Sequence, residues 1–86
     1  MRQGDWVMTE FTPVATVSDY RLLDEGDVLL GYLDGISACP EPGSDRSRAY
    51  WHGWRNGRVD AGLARPDTAQ MLLEAAFAAL DRENAA

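Results

Sequence analysis

Between Asp24 and Ile36 apolar residues recur at helical spacing: Val28, Tyr32 and Ile36 lie four apart, Leu29 and Leu33 widen the stripe, and Gly31 and Gly35 run beside it. This pattern predicts a first helix from about Asp24 to Asp34 or slightly beyond, with Ser18 or Asp24 as its N-cap. Glu25 and Asp27 fall in its first turn, where acids suit the positive helix end, and Gly35 reads either as part of the small stripe or as the C-cap. Cys39-Pro40-Glu41-Pro42-Gly43 then forces a turn, because two prolines forbid helix and the glycine permits reversal. Ser44 caps a second predicted helix from Arg46 to about Asn56, in which Ala49, Gly53 and Gly57 form a small stripe and Tyr50, Trp51 and Trp54 supply bulk. Asn56-Gly57 reads as its stop. Asp67-Thr68-Ala69-Gln70 has the form of a capping box opening a third helix over 67–82, apolar from Met71 to Leu80 except at Glu74. Met1 to Val17 mixes Gly4, Pro13 and threonines too irregularly for a strand and reads as an N-terminal arm, with Met8 as an alternative start.

The expected fold class is therefore all-α: an arm over 1–17 and one small helical domain over 18–86, built on a helical hairpin over 24–57. Within that hairpin, Gly31-Tyr32-Leu33-Asp34-Gly35 is echoed by Gly53-Trp54-Arg55-Asn56-Gly57. Each glycine inside a helix costs roughly 1 kcal/mol relative to alanine. Four at matched spacing imply two backbones packed closely, and the expectation is a pair of antiparallel helices in contact near Gly31 and Gly53, since only small residues occupy those stripes.

An 86-residue chain with 45% apolar content suits one domain with a thin core, in which three Trp, three Tyr and two Phe supply much of the buried area. Burial by a partner, a second copy included, would add to its stability. The net charge of −6 opposes binding to bare phosphate backbones and favours a cationic protein partner. Charge is also segregated: Asp19, Asp24, Glu25, Asp27, Asp34 and Glu41 against Arg21 give −5 over 19–41, whereas Arg46, Arg48, Arg55 and Arg58 against Asp45 give +3 over 44–58. Complementarity between two packed helices explains this most simply, while Asp24, Glu25, Asp27 and Asp34 also qualify as an acidic interaction surface.

Catalytic chemistry finds little support. His52 is the single histidine and Cys39 the single cysteine, thirteen positions apart, so neither zinc ligation nor a disulfide within the chain is expected, and no cofactor is implied. Ser44, His52 and Asp60 lack the elbow and oxyanion loop of a triad, no glycine loop is placed to cradle phosphate, and Asp24 with Asp27 is explained by helix-end electrostatics. No apolar run approaches a membrane span and no leader-like pattern opens the chain, so the cytoplasm is the expected compartment.

Gly31-Tyr32-Leu33-Asp34-Gly35-Ile36, Cys39-Pro40, Arg46-Ser47 and Tyr50-Trp51-His52-Gly53-Trp54-Arg55, taken in order, resemble the ribosome modulation factor family over about a third of the chain. The resemblance implies a helical pair that associates with the small ribosomal subunit and favours inactive ribosome dimers. That family is strongly basic, and it has a tyrosine where this chain has Glu41 and a tryptophan where it has Tyr50. Arg48, Trp51, His52 and Arg55 form the candidate partner-binding face, since arginine beside exposed aromatics can clamp single-stranded RNA. The competing reading makes the tryptophans core and the arginines an acid-paired face. Two functions follow: a non-catalytic factor docking on the ribosome or another nucleoprotein complex, or a phage or mobile-element inhibitor, anti-CRISPR-like, that blocks a cationic nucleic-acid surface by acidic mimicry.

Overall fold

The computed structural model describes residues 11–85, which form four helices and no strand: α1 (Val17–Tyr20), α2 (Glu25–Ile36), α3 (Arg48–Asp60) and α4 (Thr68–Ala85). The chain is a small all-α bundle. α2 starts where its sequence directs, with the Asp24 carboxylate accepting the Asp27 N–H at 2.9 Å. It runs through Gly35 and closes beyond it: Ala38 takes a left-handed φ of 63°, the Ala38 N–H donates to Gly35 O, and the Cys39 N–H donates to Asp34 O. Gly35 is thus an interior residue and not the C-cap. The expected cap Ser18 lies inside α1, a single turn that the sequence did not announce and that Thr16 caps.

α3 corrects both predicted ends. Ser47, not Ser44, caps it by accepting the Tyr50 N–H at 3.1 Å, and Ser44 sits in the exposed turn before it. Asn56-Gly57 does not stop the helix, which continues to Asp60 and ends at Gly62, whose φ of 77° lets Leu63 N–H reach Arg58 O at 2.8 Å. In α4 the capping box forms as expected: Gln70 N–H donates to Asp67 Oδ1 at 2.8 Å, and Asp67 N–H donates to Gln70 Oε1 at 2.9 Å.

The close helical pair exists, but its direction overturns the expected antiparallel hairpin. A Cβ added at Gly31 would meet the Tyr50 carbonyl and the Trp54 nitrogen, whereas one at Gly35 would meet the Trp54 carbonyl and the Arg58 nitrogen. Reciprocally, Gly53 faces Val28 O and Tyr32 N, and Gly57 faces Tyr32 O and Ile36 N. Residue numbers rise together along the contact, so α2 and α3 run parallel. The near-repeat is the local symmetry of this contact, because 53 − 31, 57 − 35, 50 − 28 and 54 − 32 all equal 22.

A parallel pair needs a connection that travels back along the helix, and residues 37–47 supply it. Eleven residues reach up to about 36 Å when extended, and a twelve-residue helix is only about 18 Å long. The two indoles of α3 hold this return segment: Trp54 Nε1 donates to Cys39 O at 2.8 Å and Trp51 Nε1 donates to the Glu41 carboxylate at 3.1 Å. Parallel packing also sets two positive helix ends side by side. Asp27 serves both, lying in the first turn of α2 and accepting the hydroxyl of Ser47, the α3 cap, at 2.9 Å.

Segment 11–16, within the expected arm, packs against α3, while the arm over 1–10 and the alternative start at Met8 lie outside the described residues. Val14 is the most deeply buried apolar residue, at 1% exposure. Arg48 anchors this segment by donating from Nε to Thr12 O at 2.8 Å while its two terminal nitrogens bind the Asp19 carboxylate. α4 leans on the other side through buried Leu73 and through Phe77, which meets Tyr20 edge-on at 5.3 Å.

Gly53→Ala is expected to cost about 3 kcal/mol or more, since the added carbon would sit 2.8 Å from the Val28 carbonyl carbon and closer still to its oxygen. Ala38→Gly is expected to gain about 1 kcal/mol by relieving a left-handed alanine. Urea unfolding curves of the two variants check both signs.

Candidate functional site

The four residues expected to form a partner-binding face are brought together on α3, but the structure turns them inward. Arg48 is engaged by Asp19, whose carboxyl is held below its ordinary value by the hydrogen bonds from that guanidinium. Trp51 is 5% exposed and stacks on Phe11 with ring centres 5.4 Å apart. His52 is 2% exposed, against the edge of Tyr20. Arg55 lies over the Trp51 ring at 4.5 Å and pairs with Asp67, the α4 cap. An RNA clamp needs aromatic faces and cations open to solvent. Here both are occupied by the first turn of α4, segment 11–16 and α1, so the core reading of these residues is the one the packing supports.

The acidic residues divide. Asp24 and Glu25 are exposed at the α2 start, whereas Asp27 accepts from Ser47, and Asp34 accepts the Tyr50 hydroxyl, which raises that phenol above its ordinary value. Two of the four acids are therefore joined to α3 as structural acceptors.

Among the described residues, one exposed apolar surface is a feature that the sequence only half disclosed. With Gly31, Gly35 and Val28 turned to α3, the opposite side of α2 presents Leu29, Leu30, Leu33 and Ile36, exposed at 57%, 56%, 50% and 42%. At 100° per residue, Glu25 and Asp34 fall on the two edges of this stripe. α2 carries no basic residue. Leu29 and Leu33 do extend the apolar pattern, but which side faces α3 follows from the glycines and not from the leucines.

Two depressions accompany this surface. A wide groove of about 820 Å³ lies between residues 15–18 with Arg21 and the C-terminal half of α4. A narrower cavity of about 370 Å³ lies between Tyr20, Tyr32, His52 and the N-terminal half of α4. Among the described residues no hydrogen bond joins Ser44, His52 and Asp60, no three potential ligands cluster to hold a metal ion, and no helix is long and apolar enough to cross a membrane. Comparison of the chain with family models, with curated proteins and with solved structures finds no match.

The ring of His52 is oriented by a chain of hydrogen bonds. Asp67 N–H fixes Gln70 Oε1, Gln70 Nε2 donates to Asn56 Oδ1 at 2.9 Å, and the Asn56 amide nitrogen then faces His52 Nε2 at 3.2 Å. With that amide unable to turn, Nε2 serves as acceptor and the ring proton sits on Nδ1. Burial, reinforced by the charges of Arg55 and Arg48, lowers the His52 pKa from its ordinary 6.5. The unfolded chain binds this proton first as pH falls, so the stability His52 contributes is complete above 6.5 and is lost below it. Thermal melts are expected to show stability falling from pH 7 to pH 5, with a slope of at most about 1.4 kcal/mol per pH unit from this group. A His52→Asn protein, whatever its stability at pH 7, is expected to lose that slope.

Proposed function

We propose that this chain is a non-catalytic binding protein that docks the outer face of α2 onto a basic, amphipathic segment of a protein within a nucleoprotein complex. The exposed stripe of Leu29, Leu30, Leu33 and Ile36 between Glu25 and Asp34 carries this reading. A contiguous apolar face rimmed by charge is the usual mark of a protein interface, and an amphipathic partner helix suits such a ridge. The acids add selectivity and a faster encounter with a cationic partner. A second copy fits less well, because two facing α2 stripes would oppose Glu25 and Asp34 to their own kind without a basic residue on either helix. The resemblance to ribosome modulation factor makes the ribosome the first complex to try, with a ribosomal protein rather than bare RNA as the contact.

Acidic mimicry of nucleic acid remains the second reading. It has Asp24 and Glu25 in its favour as exposed charges, with Asp27 and Asp34 already committed to Ser47 and Tyr50.

Leu29→Ser/Leu33→Ser alters two exposed positions and is expected to keep the melting temperature within a few degrees. Co-sedimentation with ribosomal subunits of the native host is expected for the unaltered protein and to fall at least about tenfold for the double variant. Equal sedimentation of the two would overturn docking through α2. Loss confined to an Asp24→Lys/Glu25→Lys protein would favour mimicry. Charge reversal at Arg48 and Arg55 is a poor probe, because it would break the contacts that hold segment 11–16 and α4 to α3.

A further inference from the structure

The cavity of about 370 Å³ has a composition that the docking surface does not explain. Its lining includes the aromatic residues Tyr20, Tyr32 and Phe77 beside apolar Val59, Pro66 and Leu73, and Asp60 and Glu74 are its two acids. Among the described residues no arginine lines it, and its histidine, His52, is 2% exposed. Tyr20 is fixed from two sides, edge-on to Phe77 at 5.3 Å and to His52 at 5.6 Å. Tyr32 is tied by its hydroxyl to Asp60 at 2.6 Å, which leaves the other carboxylate oxygen able to accept. The half-buried amides of Asn56 and Gln70 are bonded to each other, so the charged groups that the lining offers a guest are the two carboxylates, beside three aromatic residues.

Such a lining selects a cation. Aromatic faces attract guanidinium and ammonium groups, an effect that grows as the site loses water, and a carboxylate at the rim completes the charge. A planar guanidinium satisfies both at once, stacking on a ring while donating paired hydrogen bonds to one carboxylate, which an ammonium cannot do. The volume lies at the small end of the range for ligand sites, about 300–1,000 Å³, and suits one long side chain better than a whole metabolite. Tyr32 stands three residues from Leu29 and four from Ile36 on α2, which puts the cavity wall beside the apolar stripe.

We infer that the cavity between Tyr20, Tyr32, Phe77, Asp60 and Glu74 is a binding site for an arginine side chain presented by the basic segment that lies on α2. The site deepens the docking reading and rests on it for the carrier of the arginine, but its chemistry can be measured without any partner. The probes are the N-acetyl amides of arginine, lysine and citrulline, titrated into the intact protein and followed by amide NMR. Arginine amide is expected to shift the Asn56 and Gln70 side-chain amides saturably, with a half-point near the roughly millimolar affinity of a single side chain. Lysine amide is expected to bind several-fold more weakly. Citrulline amide, equal in shape and uncharged, is expected to give no saturable response. Glu74→Gln changes an exposed residue and is expected to raise the arginine half-point about fivefold at an unchanged melting temperature.

Equal responses to arginine and citrulline, shifts that map away from the cavity, or undiminished affinity in the Glu74→Gln protein would overturn the assignment. Those outcomes leave docking through α2 standing, since the amides carry no apolar helix. Conversely, saturable arginine binding by a protein whose Leu29→Ser/Leu33→Ser variant still co-sediments would retain the pocket and remove the stripe.

Discussion

The structure depends on one interaction, the seating of four backbone carbonyls where four glycines have no side chain. Tyr50 O, Trp54 O, Val28 O and Tyr32 O each occupy the place of a missing Cβ, so the second α-hydrogen of each glycine points at a carbonyl oxygen. Such Cα–H···O contacts contribute about 0.5–1 kcal/mol apiece, comparable to the cost of a glycine within a helix. The larger gain is geometric. Helices this close exclude side chains from their seam, so the bulk of α3 has to be covered by something other than α2. Segment 11–16, the return segment 37–47, α1 and the first turn of α4 do this, and each is fastened to an α3 side chain: Arg48, Trp51, Trp54 and Arg55.

This division of labour explains which features were legible. The glycine and apolar periodicities identified α2, α3, their contact and the residues that make it, and the Asp67–Gln70 box marked the start of α4 because each of these signals is local. Direction was not local. A turn containing Cys39-Pro40-Glu41-Pro42-Gly43 reads as a reversal, whereas the glycine contacts show that the chain travels back before α3 begins, with the indole bonds to Cys39 O and Glu41 holding the return segment. The end of α3 was misplaced for a related reason, since Gly57 serves the seam and Gly62 supplies the left-handed turn.

The candidate site was partly visible for the same physical cause. Arginines next to aromatics on one helix have one appearance in sequence whether they face solvent or a neighbouring element, and Arg48 and Arg55 face Asp19 and Asp67. The acids of α2 were similarly ambiguous. Asp27 and Asp34 belong to the helical pair, one beside two clustered N-termini and one on Tyr50, while Glu25 and Asp34 also border the leucine stripe. Two acids of α2 therefore have structural partners on or at the start of α3, and what remains exposed on α2 is apolar at the centre and negative at the edges.

The offset of 22 residues relates each helix of the seam to the other by a local twofold axis, the arrangement two identical strands of a parallel homodimer would adopt. One polypeptide thus holds both halves of a dimerisation motif, and residues 37–47 act as the tether that makes the association intramolecular. A tether too short to travel back would leave each α2 able to seat only against the α3 of another molecule, so the length of that segment decides between a self-contained monomer and an exchanged pair.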